Sequence, residues 1–276
     1  MRDIALIQIP YDSGHHKTRM GNGPAALVSR GLPERLKAHC EVETSEVALP
    51  TGFHSETQAL VALQHRATTA SRDAINRGRL PILLSGNCGT AALSATAALG
   101  PETGVIWFDA HGDCNTPETS PSGFLDGMCL AILTGQCWHK LTPRLESFAP
   151  IPGANVIQIG VRQVDPEEKL LLESLKINRV ASTQTDRLAP AIHSLSERTK
   201  QFYVHLDADA LDISEGAANS YACSGGLTRQ QFTDSMQTIA ATDMIGAIGV
   251  TSYDPATDTD NRIADILIEA ATILVS

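Results

Sequence analysis

The stretch Val105-Ile106-Trp107-Phe108-Asp109-Ala110-His111-Gly112-Asp113 decides how this chain is read. An apolar run passes straight into alternating acids and an imidazole. A second stretch repeats the arrangement, with Phe202-Tyr203-Val204-His205-Leu206 leading into Asp207-Ala208-Asp209. Largely apolar runs of this length, rich in β-branched and aromatic residues, mark strands buried on both faces. Four aspartates and a histidine at two such strand ends are costly to bury unless a cation neutralises them. They are also the donors that one or two hard divalent metals take.

Working outward, further apolar runs occupy residues 4–9, 80–84, 156–159 and 244–250, with weaker ones at 42–48 and around Val180. Helical patterns fall between them, at 24–38, 56–76, 90–98, 166–175, 187–200, 228–241 and 262–275. Pro24 and Pro166 suit helix starts. The final pattern repeats Ile263, Ile266, Leu267, Ala270, Ala271 and Leu274, a stripe that faces a core. Alternating strands and helices without a linker or internal repeat predict an α/β fold, one doubly wound parallel domain over 1–276. Ligands in such sheets bind beyond the carboxyl ends of the strands, where both acidic stretches lie.

Composition excludes several classes of function. The net charge of −10 argues against nucleic acid and anionic membrane as partners. No apolar run approaches membrane-spanning length, and Met1-Arg2-Asp3 leads into a strand rather than a signal peptide. The six cysteines, Cys40, Cys88, Cys114, Cys129, Cys137 and Cys223, show no zinc-finger or CxxC spacing. Free thiols in a reducing cytoplasm are expected. The glycines of the first loop lack the lysine of a phosphate cradle, and no Gly-x-Ser-x-Gly elbow occurs.

These motifs in this order resemble the ureohydrolases: arginase, agmatinase, formiminoglutamase and their relatives. Gly14 and Gly21-Asn22-Gly23-Pro24 are similar to the family's Gly-rich first loop and helix start. Asp109-Ala110-His111-Gly112-Asp113 resembles its Asp-Ala-His-x-Asp motif, continued by Asn115-Thr116-Pro117 and Ser122-Gly123. Ile159-Gly160-Val161-Arg162 with Asp165-Pro166, the run Asp207 to Asp212, and Gly225-Gly226-Leu227-Thr228 extend the match. The resemblance implies a three-layer α/β/α sandwich with a mainly parallel sheet. It also implies manganese-dependent hydrolysis of a linear C–N amidine bond on a small molecule, and a homo-oligomer.

The departures concentrate at the site. Where the family has Gly-Gly-Asp-His, with a metal-binding histidine, this chain has Ser85-Gly86-Asn87-Cys88. Cys88 is a soft ligand favouring zinc or another softer metal, a small buried residue beside a weak metal position, or a nucleophile. Asp126 stands where arginases carry a proton-shuttling histidine. It does acid–base work only with a raised pKa; otherwise it is a helix-start aspartate. Ser252 replaces a glutamate that grips the guanidinium, and a neutral hydroxyl cannot pair with that cation as a carboxylate does. Asp254 is a conceivable substitute. By contrast, Asn115, Ser122 and Asp165 match residues that hold an amino acid's carboxylate and amino groups.

The expectation is a hydrolase of a linear amidine on an amino-acid-like substrate, similar to the hydroxyarginine-hydrolysing branch of the family. Asp109, His111, Asp207 and Asp209 would hold one metal, manganese by resemblance, and Asp113 with Cys88 would contribute to a second. Asp113 and Asp126 are the catalytic candidates; Asn115, Ser122, Asp165 and Ser252 are the substrate-binding ones. The alternatives are a non-catalytic metal or ligand binder and a zinc-type deacylase. His15 and His16 in the first loop read as solvated or lining a substrate mouth, and His205 as a packed neighbour of the site.

Overall fold

The computed structural model describes residues 2–38, 40–49 and 55–276. An eight-stranded, wholly parallel sheet forms from β1 (Ile4–Ile9), β4 (Val42–Glu46), β5 (Leu80–Ser85), β6 (Thr103–Phe108), β7 (Val156–Ile159), β8 (Asn178–Val180), β9 (Gln201–Asp207) and β10 (Ile245–Thr251). Its order is β4-β1-β5-β10-β9-β6-β7-β8. The first loop adds an antiparallel hairpin, β2 (Tyr11–Asp12) with β3 (His15–His16).

Alternation along each strand sorts side chains into two cores. Val204 and Leu206 of β9 and Ile106 and Phe108 of β6 face one way. They pack with α1 (Gly23–Ser29), α2 (Leu32–Lys37), α7 (Leu188–Ser196), α8 (Arg229–Ala240) and α9 (Arg262–Val275). Tyr203, Val105 and Trp107 face the other way. There they meet α3 (Glu56–Asn76), α4 (Cys88–Leu99), α5 (Cys129–Leu133) and α6 (Pro166–Ser174). The result is the expected three-layer sandwich.

Three helices differ from the sequence reading. The pattern over 24–38 is two helices, because Gly31 turns left-handed at φ 101° and Pro33 restarts the chain. The pattern over 187–200 yields the shorter α7. The third difference bears on the site: α4 begins at Cys88 rather than residue 90, which puts the thiol in its first turn. Among the described residues, no helix is long and apolar enough to cross a membrane.

Candidate metal centre

Strands β5, β10, β9 and β6 are consecutive in the sheet. Thr251 pairs with both Ser85 and Asp207, and Phe108 with Leu206. Their carboxyl ends therefore deliver Cys88, Ser252, Asp207 with Asp209, and the Asp109–Asp113 stretch to one place. Parallel register thus joins residues more than 150 positions apart in the chain.

Two groups of ligand-type atoms result. In the first, His111 Nδ1 lies 3.4 Å from Asp109 Oδ1 and 3.5 Å from Asp209 Oδ2. In the second, the Cys88 thiol donates to Asp207 Oδ2 at 2.9 Å and lies 3.2 Å from the hydroxyls of Thr251 and Ser252. Ligand atoms of Cys88, Asp109, His205 and Asp207 lie within 4.8 Å of one another, as do those of Asp109, His111 and Asp209. Asp113 belongs to neither tight group. It lines the same cavity with a left-handed backbone at φ 51°, and its Oδ2 accepts from the Cys129 thiol at 3.1 Å.

The carboxylates are fixed by hydrogen bonds. Asp109 accepts from Trp107 Nε1 at 2.9 Å and from the His111 amide at 2.7 Å. Asp209 accepts from the Ala110 amide at 3.2 Å and from Asn219 Nδ2 at 3.1 Å. Burial pushes Asp109 up, and pushes Asp113 and Asp207 well up, with neighbouring aspartates adding to the shift. Burial opposes ionisation of Asp209 too, but the hydrogen bond and charge of His111, with hydrogen bonds to Asn219 and Asp207, together outweigh it and hold Asp209 at about 2. Burial also works against a charged His111, yet Asp109 and Asp209 overcome it and raise that ring to about 12. Burial lowers His205 to about 3 and drives the Cys88 thiol well up. Asp109, Asp113, Asp207 and Asp209 are all at least nine-tenths buried, and among the described residues His111 is the basic side chain in contact with them. The donor set, and the burial and mutual repulsion that push these acids up, fit divalent cations.

A cavity of about 390 Å³ opens onto these groups. Asn115, Asp126, Asp165 and Ser252 line it. Asn115 Nδ2 donates to Asp165 Oδ2 at 2.9 Å, and Asp165 also caps α6 in a reciprocal box with Glu168. Asp126 accepts from Asn87 Nδ2 at 3.0 Å and from the amides of Cys88 and Gly89 at 2.9 and 2.8 Å. Burial raises it to about 7 although these bonds pull the other way. Ser122 is not brought to the cavity: it is exposed and accepts from the Phe124 amide at 3.2 Å. Asp254 is spent on its own turn, accepting from the Ala256 amide at 3.0 Å. His16 packs against Tyr11 at 4.9 Å between ring centroids and lies 3.5 Å from Glu46, away from the cavity wall.

Other residues of the site are not among the sequence-based candidates, although Arg162 lies in a matched motif. Phe124 and Tyr221 stack at 5.8 Å on the cavity wall. Asn219 joins Asp209 to the Ser252 carbonyl, which it reaches at 2.8 Å. Arg162 donates to the carbonyls of Gly160, Asp209, Leu211, Cys223 and Ser224, pinning the loop that follows β9. A larger groove of about 940 Å³ runs between β4 and α3, but the clustered acids do not line it.

A parallel α/β sandwich with buried, metal-type clusters at adjacent strand ends defines the class of this protein. The Arginase family model matches residues 2–275, and the chain belongs to that family. It is 30% identical to the arginase of Bacillus caldovelox over 97% of this chain and 96% of that protein. It is 26% identical to human Arginase-1, covering 92% of this chain and 86% of that one. The native structure of the Bacillus caldovelox arginase superposes with a TM-score of 0.90 at 28% identity, covering 100% of this chain and 99% of that one.

Proposed function

We propose that this arginase-family hydrolase cleaves the C–N bond of a linear amidine on an amino-acid-like substrate, with a hydroxyguanidine, as in hydroxyarginine, as the distal group. One observation carries the reading. The cavity wall bears Asp113, Asp126, Asp165, Glu168, Asp207 and Asp209, and neither lysine nor arginine. Such a wall suits metal cations and the ammonium end of an amino acid. Asp109, His111 and Asp209 would hold one divalent cation. Asp207, Cys88 and Asp113 would contribute to a second, manganese or a softer metal. Bound there, the cations supply Lewis-acid activation of water and of the amidine carbon.

The chain's own groups do the rest. Asp165, held by Asn115, receives the substrate's amino group. The oxygen of water bonds to the amidine carbon, and the bond from that carbon to the side-chain nitrogen breaks. The departing nitrogen takes a proton from Asp126, whose raised pKa keeps one available near neutral pH. A side-chain amine and a hydroxyurea are released. An N-hydroxyl lowers the basicity of a guanidine, so this distal group asks less for a carboxylate partner, and the neutral hydroxyl of Ser252 suits it. The same reading places the protein in the cytoplasm as a homo-oligomer.

The test is turnover of hydroxyarginine and arginine by manganese-reconstituted protein, following amine and urea-type products. Hydrolysis of hydroxyarginine, lost in Asp109→Ala, supports the reading. Metal binding without turnover of any amidine supports the non-catalytic alternative, and acetate release from an acylated amine the deacylase.

A further inference from the structure

His205 is a histidine that the proposed reaction leaves unused. It lies two residues before Asp207 on β9, so alternation puts its ring on the same sheet face as Asp207, the face that α4 covers. The ring is fully buried. Trp107 stacks on it at 3.7 Å between centroids and 12° between planes. Nδ1 lies 2.8 Å from the Tyr203 hydroxyl, and Gly249 makes room for that phenol, because a β-carbon there would run into it. Nε2 faces the other way, 3.2 Å from Thr251 Oγ1, which is itself 3.2 Å from the Cys88 sulfur.

This is how a metal-bound histidine is held: a hydrogen bond at one nitrogen fixes ring and tautomer and aims the other lone pair. With Tyr203 accepting from Nδ1–H, the Nε2 lone pair points toward the thiol and the carboxylates. Sulfur and nitrogen ligands of a tetrahedral zinc lie about 3.5 Å apart, and the Cys88, Asp109, His205 and Asp207 donors all lie within 4.8 Å of one another. Closing on a cation draws the widest pair inward by up to about 1 Å.

We propose that His205 is a metal ligand. With Cys88, Asp109 and Asp207 it forms a deep cation position that shares Asp109 with the Asp109–His111–Asp209 group. The inference rests on the metal-dependent reading above. Its imidazole compensates for the histidine that Ser85-Gly86-Asn87-Cys88 lacks. One thiolate, one imidazole and two carboxylates suit zinc, cobalt or iron(II) better than manganese.

Cobalt(II) tests this, because a cobalt–thiolate bond gives a near-ultraviolet charge-transfer band whether or not the protein turns over. The full chain, stripped of metal, is titrated as wild type, Cys88→Ser, His205→Phe and Thr251→Val, with bound cobalt counted by elemental analysis. The Phe variant keeps a ring on Trp107; His205→Leu run alongside covers a failure of that variant to fold. The wild type is expected to bind about two equivalents and show the band, and Cys88→Ser to lose the band. His205→Phe is expected to weaken the deep equivalent by more than about 100-fold, beyond what loss of an outer hydrogen-bond partner costs, and to spare the other equivalent. Thr251→Val is expected to keep both band and affinity. Wild-type affinity in the His205 variants would overturn the inference alone. Equal losses in His205→Phe and Thr251→Val would also overturn it, marking His205 as a positioning residue acting through Thr251. A wild-type chain that binds no cobalt would overturn it together with the proposed function.

Discussion

The Asp126 carboxylate accepts from the Cys88 amide at 2.9 Å. The residue standing where arginases carry their proton shuttle thus closes the first turn of the helix that presents the thiol, while still facing the cavity. Asp126→Asn is expected to lower kcat by about 10²–10⁴-fold if the leaving amine takes its proton there. Wild-type activity should fall as pH rises past about 7, and the variant should lose that limb. The stability sign is separate. In the metal-free chain Asp126 stays protonated to about 7 against 3.8 for an ordinary aspartate, so the unfolded chain binds fewer protons in that window. This group's contribution to stability therefore declines as pH rises from about 4 to about 7, which denaturant unfolding of Asp126→Asn against wild type would register.

A proton and a metal cation would compete for the His111 ring. Held at about 12 by Asp109 and Asp209 against the pull of burial, it carries a proton that a cation must displace. Cation binding should release about one proton from this residue, and affinity should rise roughly tenfold per pH unit on that account. Calorimetric titration in buffers of different ionisation enthalpy measures the proton count. A release that His111→Ala leaves unchanged would contradict this assignment.

Arg162 ties down the loop that carries Asn219 and Tyr221. Its guanidinium joins the carbonyls of Asp209 and Leu211 to those of Cys223 and Ser224. Arg162→Ala should destabilise the fold by about 1–3 kcal/mol and raise KM, because Tyr221 and Asn219 sit on the loop it ties down. Arg162→Lys should not rescue the defect, since a single ammonium cannot span that fork. Thermal unfolding and steady-state kinetics on both variants decide.

On the proposed function, Ser252 would set the preference for the distal group. Its hydroxyl is buried 3.2 Å from the Cys88 sulfur on the cavity wall. Ser252→Glu should raise the arginine-to-hydroxyarginine ratio of kcat/KM by about one to two orders of magnitude, because a guanidinium gains a charge partner. It should also cost about 1–3 kcal/mol, since a longer side chain must be fitted into a buried position. An unchanged ratio in a folded variant would remove Ser252 from the specificity argument.

Much of this was legible in the sequence because apolar runs ending in acids fix strand ends. Asp109, His111, Asp207 and Asp209 fall together once β6 and β9 are neighbours, and parallel order makes them so. What a single sequence hides is contact across the chain. Asp126 meets Cys88 over 38 positions, and no local pattern announces a carboxylate that caps someone else's helix. The Trp107 ring that fixes His205 lies on the next strand, and the Phe124–Tyr221 stack joins two loops. Ser122 matched by motif yet turned to solvent, because a short turn spends its hydroxyl on the Phe124 amide. The break at Gly31 was written in Gly31 and Pro33, but the apolar pattern on either side masked it.

The most direct test is metal content with turnover on one preparation: the chain purified without chelators, reconstituted with manganese, analysed for metal per chain and assayed on hydroxyarginine. The account predicts about two bound cations per chain and release of hydroxyurea that Asp109→Ala abolishes. A chain that takes up no metal, or hydrolyses hydroxyarginine equally well after every cation is removed, would contradict it.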